Sequence, residues 1–137
     1  MSCLVGWILT IDGYFELAVE SIYNTVIEAL SVNPSRKFIA VEMAYFYKWW
    51  EIASLPQKLA THRVRALTRH AWWHTHDVMQ LVENGQLEFI VGGWTMEDEA
   101  CTTYSANIDQ MTEGHQLIVS LFGEAAGPKF VVSHKHA

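Results

Sequence analysis

Basic residues are scarce in this chain. Nine Lys and Arg stand against fifteen Asp and Glu, a net charge of −6 over 137 residues. A surface with that balance repels phosphate, which argues against nucleic acid or an anionic membrane as partner. Cysteine is nearly absent: Cys3 and Cys101 are too few for a disulfide framework and leave the compartment open. No run reaches the ~18 consecutive apolar residues that cross a bilayer, so no membrane span is expected. The opening "MSCLVGWILTIDGYF" has a short apolar run, but no basic region precedes it and no small-residue cleavage site follows. No signal peptide is visible. GxSxG, P-loop, GxGxxG and CxxC patterns are missing too, as are internal repeats and low-complexity tracts. What the chain has is apolar and aromatic. Half its residues are hydrophobic, enough for one domain with a real core.

The periodicity alternates between strand and helix. "LVGWILT" at 4–10 reads as the end of a buried strand. After it Phe15, Val19, Ile22, Val26, Ile27 and Leu30 recur at helical steps, with Asp12 as the expected N-cap and "NPS" at 33–35 as the stop. A short strand is expected around Phe38–Glu42, apolar throughout as parallel strands buried on both faces are. The region from Tyr45 to Asn84 reads as helical but divided by Pro56, with Gly85 as the residue that ends it. "QLEFIVGGW" is a third strand. A third helix follows, with Ile108, Met111, His115 and Ile118 on one stripe and Gly123 as its stop, and "PKFVVS" at 128–133 is a fourth strand. This order implies an α/β fold of about four parallel strands and three helical regions, joined by crossovers. In such folds function collects at the C-terminal strand ends, here Gly6–Trp7, Glu42–Tyr45 and Gly92–Glu99.

Several clusters could carry chemistry. "RHAWWHTHDVM" holds His70, His74, His76 and Asp77 within eight positions. On a helix His70, His74 and Asp77 share a face, which suits a partial zinc site, though surface histidines cluster this way without binding metal. Glu97, Asp98 and Glu99 follow the third strand, where an acid, base or ligand would stand. A solvated loop that caps the next helix explains them as well. Trp7 and Trp94, each just beyond a strand, could be platforms for a ligand with an apolar face, or aromatics that close the end of the sheet. "EMAYFYKWW" packs five aromatics into a short stretch, which reads as core. The terminal "SHKHA" reads as a frayed tail.

The wording of the motifs goes further. "VGWILTIDGYF", "SRKFIAVEMAYFYKWW", "NGQLEFIVGGWTMEDEA" and "IDQMTEGHQ" resemble, in order, the N-terminal catalytic domain of the glycoside hydrolase family 38 α-mannosidases, the lysosomal type above all. The resemblance covers perhaps two-thirds of the chain, and the GQLEF-x-x-GGW-x-M-x-DEA block is its most specific part. It implies a β/α-barrel-like domain and a zinc-dependent, retaining hydrolysis of terminal α-mannose from glycans, in a lysosomal or secretory setting.

The family's site transfers only in part. The family opens with His-x-Asp-x-Gly-Trp, whose His and Asp bind zinc and whose Trp packs under the sugar. Gly6 and Trp7 match the last two positions, whereas the ligand positions fall on Ser2 and Leu4. The nucleophilic aspartate, in an Asp-Pro-Phe-Gly segment after the fourth strand, has no counterpart in "KFVVSHKHA", and a further histidine ligand lies beyond it. Trp7 alone carries over, as a substrate-binding residue; no catalytic or metal residue does. The resemblance therefore implies that residues 1–137 are a partial catalytic domain, inactive alone and without bound zinc: a truncated product, an alternative transcript or a mispredicted gene model. Residues 52–71, basic and proline-interrupted, read as an insertion, either retained non-coding sequence or a lineage-specific loop. The alternative is a non-catalytic glycan-binding or interaction module from the same domain, with unpaired sheet edges inviting self-association.

Overall fold

A computed structural model describes residues 8–58, 75–96 and 103–128. Ile8–Thr10 form a bend and a cap rather than a strand end; the rest of the strand expected at 4–10, and all but the first residue of the one at 128–133, lie outside the described residues. The first helical stretch runs as α1 (Ile11–Tyr14), a π-helical turn (Phe15–Val19) and α2 (Glu20–Val32). Its cap is Thr10 and not Asp12. Thr10 is extended (ψ 164°) and its hydroxyl accepts from the Gly13 N–H at 3.1 Å. Asp12 falls in the first turn, where the helix dipole favours its charge and where it pairs with Lys48. Lys48 also stands 5.2 Å from the centre of the Phe15 ring.

The π turn decides which side chains reach the core. Phe15, Val19, Tyr23 and Ile27 are buried at successive steps of four. In a plain α-helix each such step overshoots a full turn by about 40°, and one wider turn offsets part of that drift. Tyr23 thereby takes the core position that periodicity assigns to Ile22, which is 40% exposed. After Val32 the chain leaves the helix at Asn33, whose side chain accepts from the Ser35 N–H at 2.9 Å.

The sheet consists of β1 (Phe38–Ala40) and β2 (Leu87–Phe89), parallel, with Phe38 opposite Leu87 and Ala40 opposite Phe89. Parallel pairing requires a long crossover. Here it contains α3 (Met43–Lys58) and α4 (Thr75–Glu83). Pro56 does not divide α3: the helix loses one N–H donor there and runs on through Lys58. Gly85 ends α4 as expected, at φ 65°. The Gly85 N–H reaches Val82 O (3.1 Å) and the Gln86 N–H reaches Leu81 O (2.9 Å), the paired bonds of a Schellman turn. After β2 comes α5 (Tyr104–Phe122), stopped at Gly123, and a 3-10 turn (Glu124–Ala126). On the expected α5 stripe Ile118 is buried and Met111 and His115 are half-buried. Ile108 is not: it is 48% exposed.

One core joins these elements. Phe46 is its hub, with ring centroids 5.1 Å from Phe89, 5.8 Å from Tyr23 and 5.9 Å from Trp49, Trp50 and Phe122. The indole N–H of Trp49 donates to Asn24 Oδ1 at 2.9 Å, so a polar group in the core is satisfied. Gln86, the buried polar residue among those described, donates its amide to the carbonyls of Leu30 (3.0 Å) and Asn33 (3.3 Å). It thus closes the last turn of α2 against the start of β2. Phe38, Ala40, Leu87 and Phe89 face this core. The opposite face carries Ile39, 49% exposed, and Glu88. The strand pair is therefore covered on one face by the described residues, rather than on both. The architecture is mixed helix and strand with a parallel pair, compatible with the α/β reading. No helix of the described residues is long and apolar enough to cross a membrane.

Candidate functional site at the strand ends

Both strands run their C-terminal ends into one hydrogen-bonded junction. The first N–H groups of a helix have no partner within it, and at α3 two of them turn to the exit of β2. Met43 N–H donates to Gly93 O (3.0 Å) and Ala44 N–H to Trp94 O (2.9 Å). From the other side α5 holds the same loop: Trp94 N–H donates to Gln110 O (2.9 Å) and Thr95 N–H to Gln110 Oε1 (3.1 Å). The Met96 N–H donates to Glu42 Oε1 at 3.2 Å. The segment Gly93–Met96 is thus strung between the N-terminus of α3 and the middle of α5.

The turn that feeds this segment is strained. Val91 has φ 61° and Gly92 φ 68°. Glycine adopts that region freely, whereas a β-branched residue there is a true outlier. Val91 is held by His115, whose Nε2 donates to the Val91 carbonyl at 2.8 Å. Asparagine tolerates this backbone far better. Val91→Asn should therefore stabilise the fold by about 1 kcal/mol, read as a higher urea midpoint at unchanged slope; a lower midpoint would contradict the strain.

Glu42 is half-buried, and burial pushes its carboxyl above the ordinary glutamate value, with the Met96 N–H pulling the other way. The folded chain therefore holds this proton more tightly than the unfolded one. Its stabilising contribution is complete below the ordinary glutamate value and is lost as pH rises through the raised one. Glu42→Gln keeps an acceptor for Met96 and removes the charge. It should melt higher than wild type at pH 7, and the gap should close at pH 4. A gap that is the same at both values would show that ionisation of Glu42 is not responsible.

Tyr47, on α3, sets its ring 5.9 Å from that of Trp94 at 46°. Its hydroxyl donates to Glu51 Oε1 at 2.8 Å. That hydrogen bond, and then the carboxylate's charge, raise the phenol above its usual value, so the hydroxyl keeps its proton. A cleft of about 390 Å³ lies elsewhere, along β2 between α4 and the 3-10 turn. Apart from Glu83 and Glu88 the side chains that line it are apolar.

The residues singled out by sequence divide unevenly. Trp94 stands in the junction. Trp7, His70, His74, Glu97, Asp98 and Glu99 lie outside the described residues, as does the side chain of His76; Asp77 is half-buried in the first turn of α4. Glu42, Tyr47 and Gln110 were not singled out as site residues. The signal for Glu42 was present, a lone carboxylate in an otherwise apolar strand end. Among the described residues, no group of three or more His, Cys, Asp or Glu could hold a metal ion.

Comparison with known proteins places this chain in a family. The model of the glycosyl hydrolases family 38 N-terminal domain matches residues 5–133. The chain belongs to glycosyl hydrolase family 38. This family 38 chain is 39% identical over 133 residues to the lysosomal alpha-mannosidase of Bos taurus, a match covering 91% of the chain and 12% of the relative. It is 40% identical over 118 residues to alpha-mannosidase 2 of Rattus norvegicus, covering 86% of the chain and 9% of the relative. Against the lysosomal alpha-mannosidase of Dictyostelium discoideum the identity is 40% over 127 residues, covering 87% and 11%. The chain thus spans about a tenth of the length of these curated relatives.

Proposed function

We propose that residues 1–137 are part of an α-mannosidase catalytic domain whose ligand is terminal α-mannose on glycans, and that this chain does not hydrolyse mannosides alone. The family match across 5–133 carries the reading. A lysosomal or secretory setting follows from relatives that bear lysosomal names. The barrel-like arrangement is supported by the one-sided core: helices that follow successive parallel strands pack on one face, and Ile39 and Glu88 turn to the other. In this reading Trp7, next after Gly6, is the residue that packs under the sugar. Residues 52–71 form an insertion that begins inside α3.

The inactivity follows from chemistry. Retaining hydrolysis needs a nucleophile and an acid/base a fixed distance apart, and zinc needs three or four donors. Ser2 and Leu4 stand where the resemblance requires ligands. The purified chain with a chromogenic α-mannoside and added zinc should release no more product than buffer, and turnover above that control would refute the inactivity. A second reading, an interaction module, is favoured by the uncovered strand face at Ile39. It requires self-association in sedimentation at micromolar concentration, and a monomer there would exclude it.

A further inference from the structure

Trp94 and Tyr47 meet on the C-terminal side of the strand pair. Trp94 backs onto the core, yet both side chains remain half-buried, so ring surface still faces solvent. Both are held in place before any ligand arrives. Trp94 is fixed through its own main chain by Gln110 and Ala44, and Tyr47 through the bond from its hydroxyl to Glu51, one turn along α3. Two rings inclined at 46°, with the Glu51 carboxylate on the hydroxyl of one of them, make an amphipathic surface.

The chemistry of that surface selects its ligand. Aromatic faces carry negative charge density that attracts polarised C–H groups, and a pyranose offers one such face. Its hydroxyls donate, and an ionised carboxylate has about four lone-pair sites to accept them. An apolar peptide side chain would offer the carboxylate no donor. We propose that Tyr47, Trp94 and Glu51 form a carbohydrate-binding platform for a neutral pyranose, a mannose unit of a glycan. The assignment of mannose rests on the function proposed above; the platform rests on the ring pair and its carboxylate.

The experiment is a titration of the whole isotope-labelled chain with methyl α-D-mannopyranoside, following the indole N–H resonances of Trp7 and Trp94. Trp94 should shift saturably in the millimolar range. Glu51→Gln should weaken binding by about tenfold, as for one lost charge-assisted hydrogen bond. In Trp94→Ala, which has no indole at 94, the backbone amides of Tyr47 and Thr95, which shift in wild type, should no longer shift. Where Trp94→Ala lowers the melting temperature, Trp94→Phe keeps the core backing and should bind more weakly than wild type. Shifts at Trp7 with none at Trp94 overturn the platform and leave the glycan reading standing. Shifts at Trp94 with none at Trp7 support the platform and remove Trp7 as a sugar contact. No saturable shift at either overturns both, and an affinity unchanged in Glu51→Gln overturns the platform as assigned.

Discussion

Phe46→Ala should be among the most damaging single substitutions in this chain, lowering its unfolding free energy by about 3–5 kcal/mol. The side chain is fully buried. Its ring is the common neighbour of rings from three other elements: Tyr23 on α2, Phe89 on β2 and Phe122 on α5. Truncation removes the apolar area of the ring and leaves a void that these neighbours cannot close together, because each is anchored on a different element. Small domains are stable by only about 5–15 kcal/mol, so the variant should be unfolded or nearly so at 37 °C. Phe46→Leu keeps most of the volume and should cost about 1.5 kcal/mol. Urea unfolding followed by tryptophan fluorescence measures both. Equal losses for Ala and Leu would show that shape complementarity, rather than buried volume, governs the site.

Gly114→Ala is the second large effect, and its cause is different. A Cβ at Gly114 would stand 2.1 Å from the carbonyl oxygen of Gly92 and 2.8 Å from the Cα of Gly93. The oxygen contact is about 1 Å inside van der Waals distance. Both neighbours are backbone, so no rotamer change relieves the overlap. Helix propensity alone would favour alanine by about 1 kcal/mol. Overpacking against backbone should outweigh that and leave a net loss of about 2–3 kcal/mol. The strain should also push α5 away from the β2 exit, lengthening the bonds from Trp94 and Thr95 to Gln110. Faster amide exchange at Trp94 and Thr95, relative to the rest of α5, is the expected signature. A variant as stable as wild type, with unchanged exchange, would show that this helix and loop do not touch as closely as described.

Much of the fold was legible because its signals are local. Gly85, Gly123 and the "NPS" stop ended their helices where expected, since turn chemistry acts within a few residues. The aromatic run Tyr45–Trp50 reads as core and is core, Tyr47 being the half-buried exception. What failed depended on geometry that spacing does not encode. Periodicity chose Ile22 over Tyr23 because it assumes uniform turns, and the π turn at Phe15–Val19 is not uniform. Asp12 and Thr10 are both good capping residues, and only the backbone decides between them. Pro56 marks a lost donor, not where a helix must end. At the candidate site, Trp94 was visible as an aromatic beyond a strand. Its partners were not: Glu42, Tyr47 and Gln110 lie 52, 47 and 16 positions from it in sequence, the first two brought to it by the pairing of β1 with β2 and the third by α5.

The amide of Gln86 couples two parts of the chain that are remote in sequence. Because it closes the carbonyls of Leu30 and Asn33 while its own backbone oxygen receives the Phe38 N–H at 2.7 Å, α2 cannot fray at its end without loosening the first rung of the sheet. The final turn of α2 and the β1–β2 pairing therefore form one cooperative unit: they open in the same fluctuation, and their amides exchange with a common opening free energy.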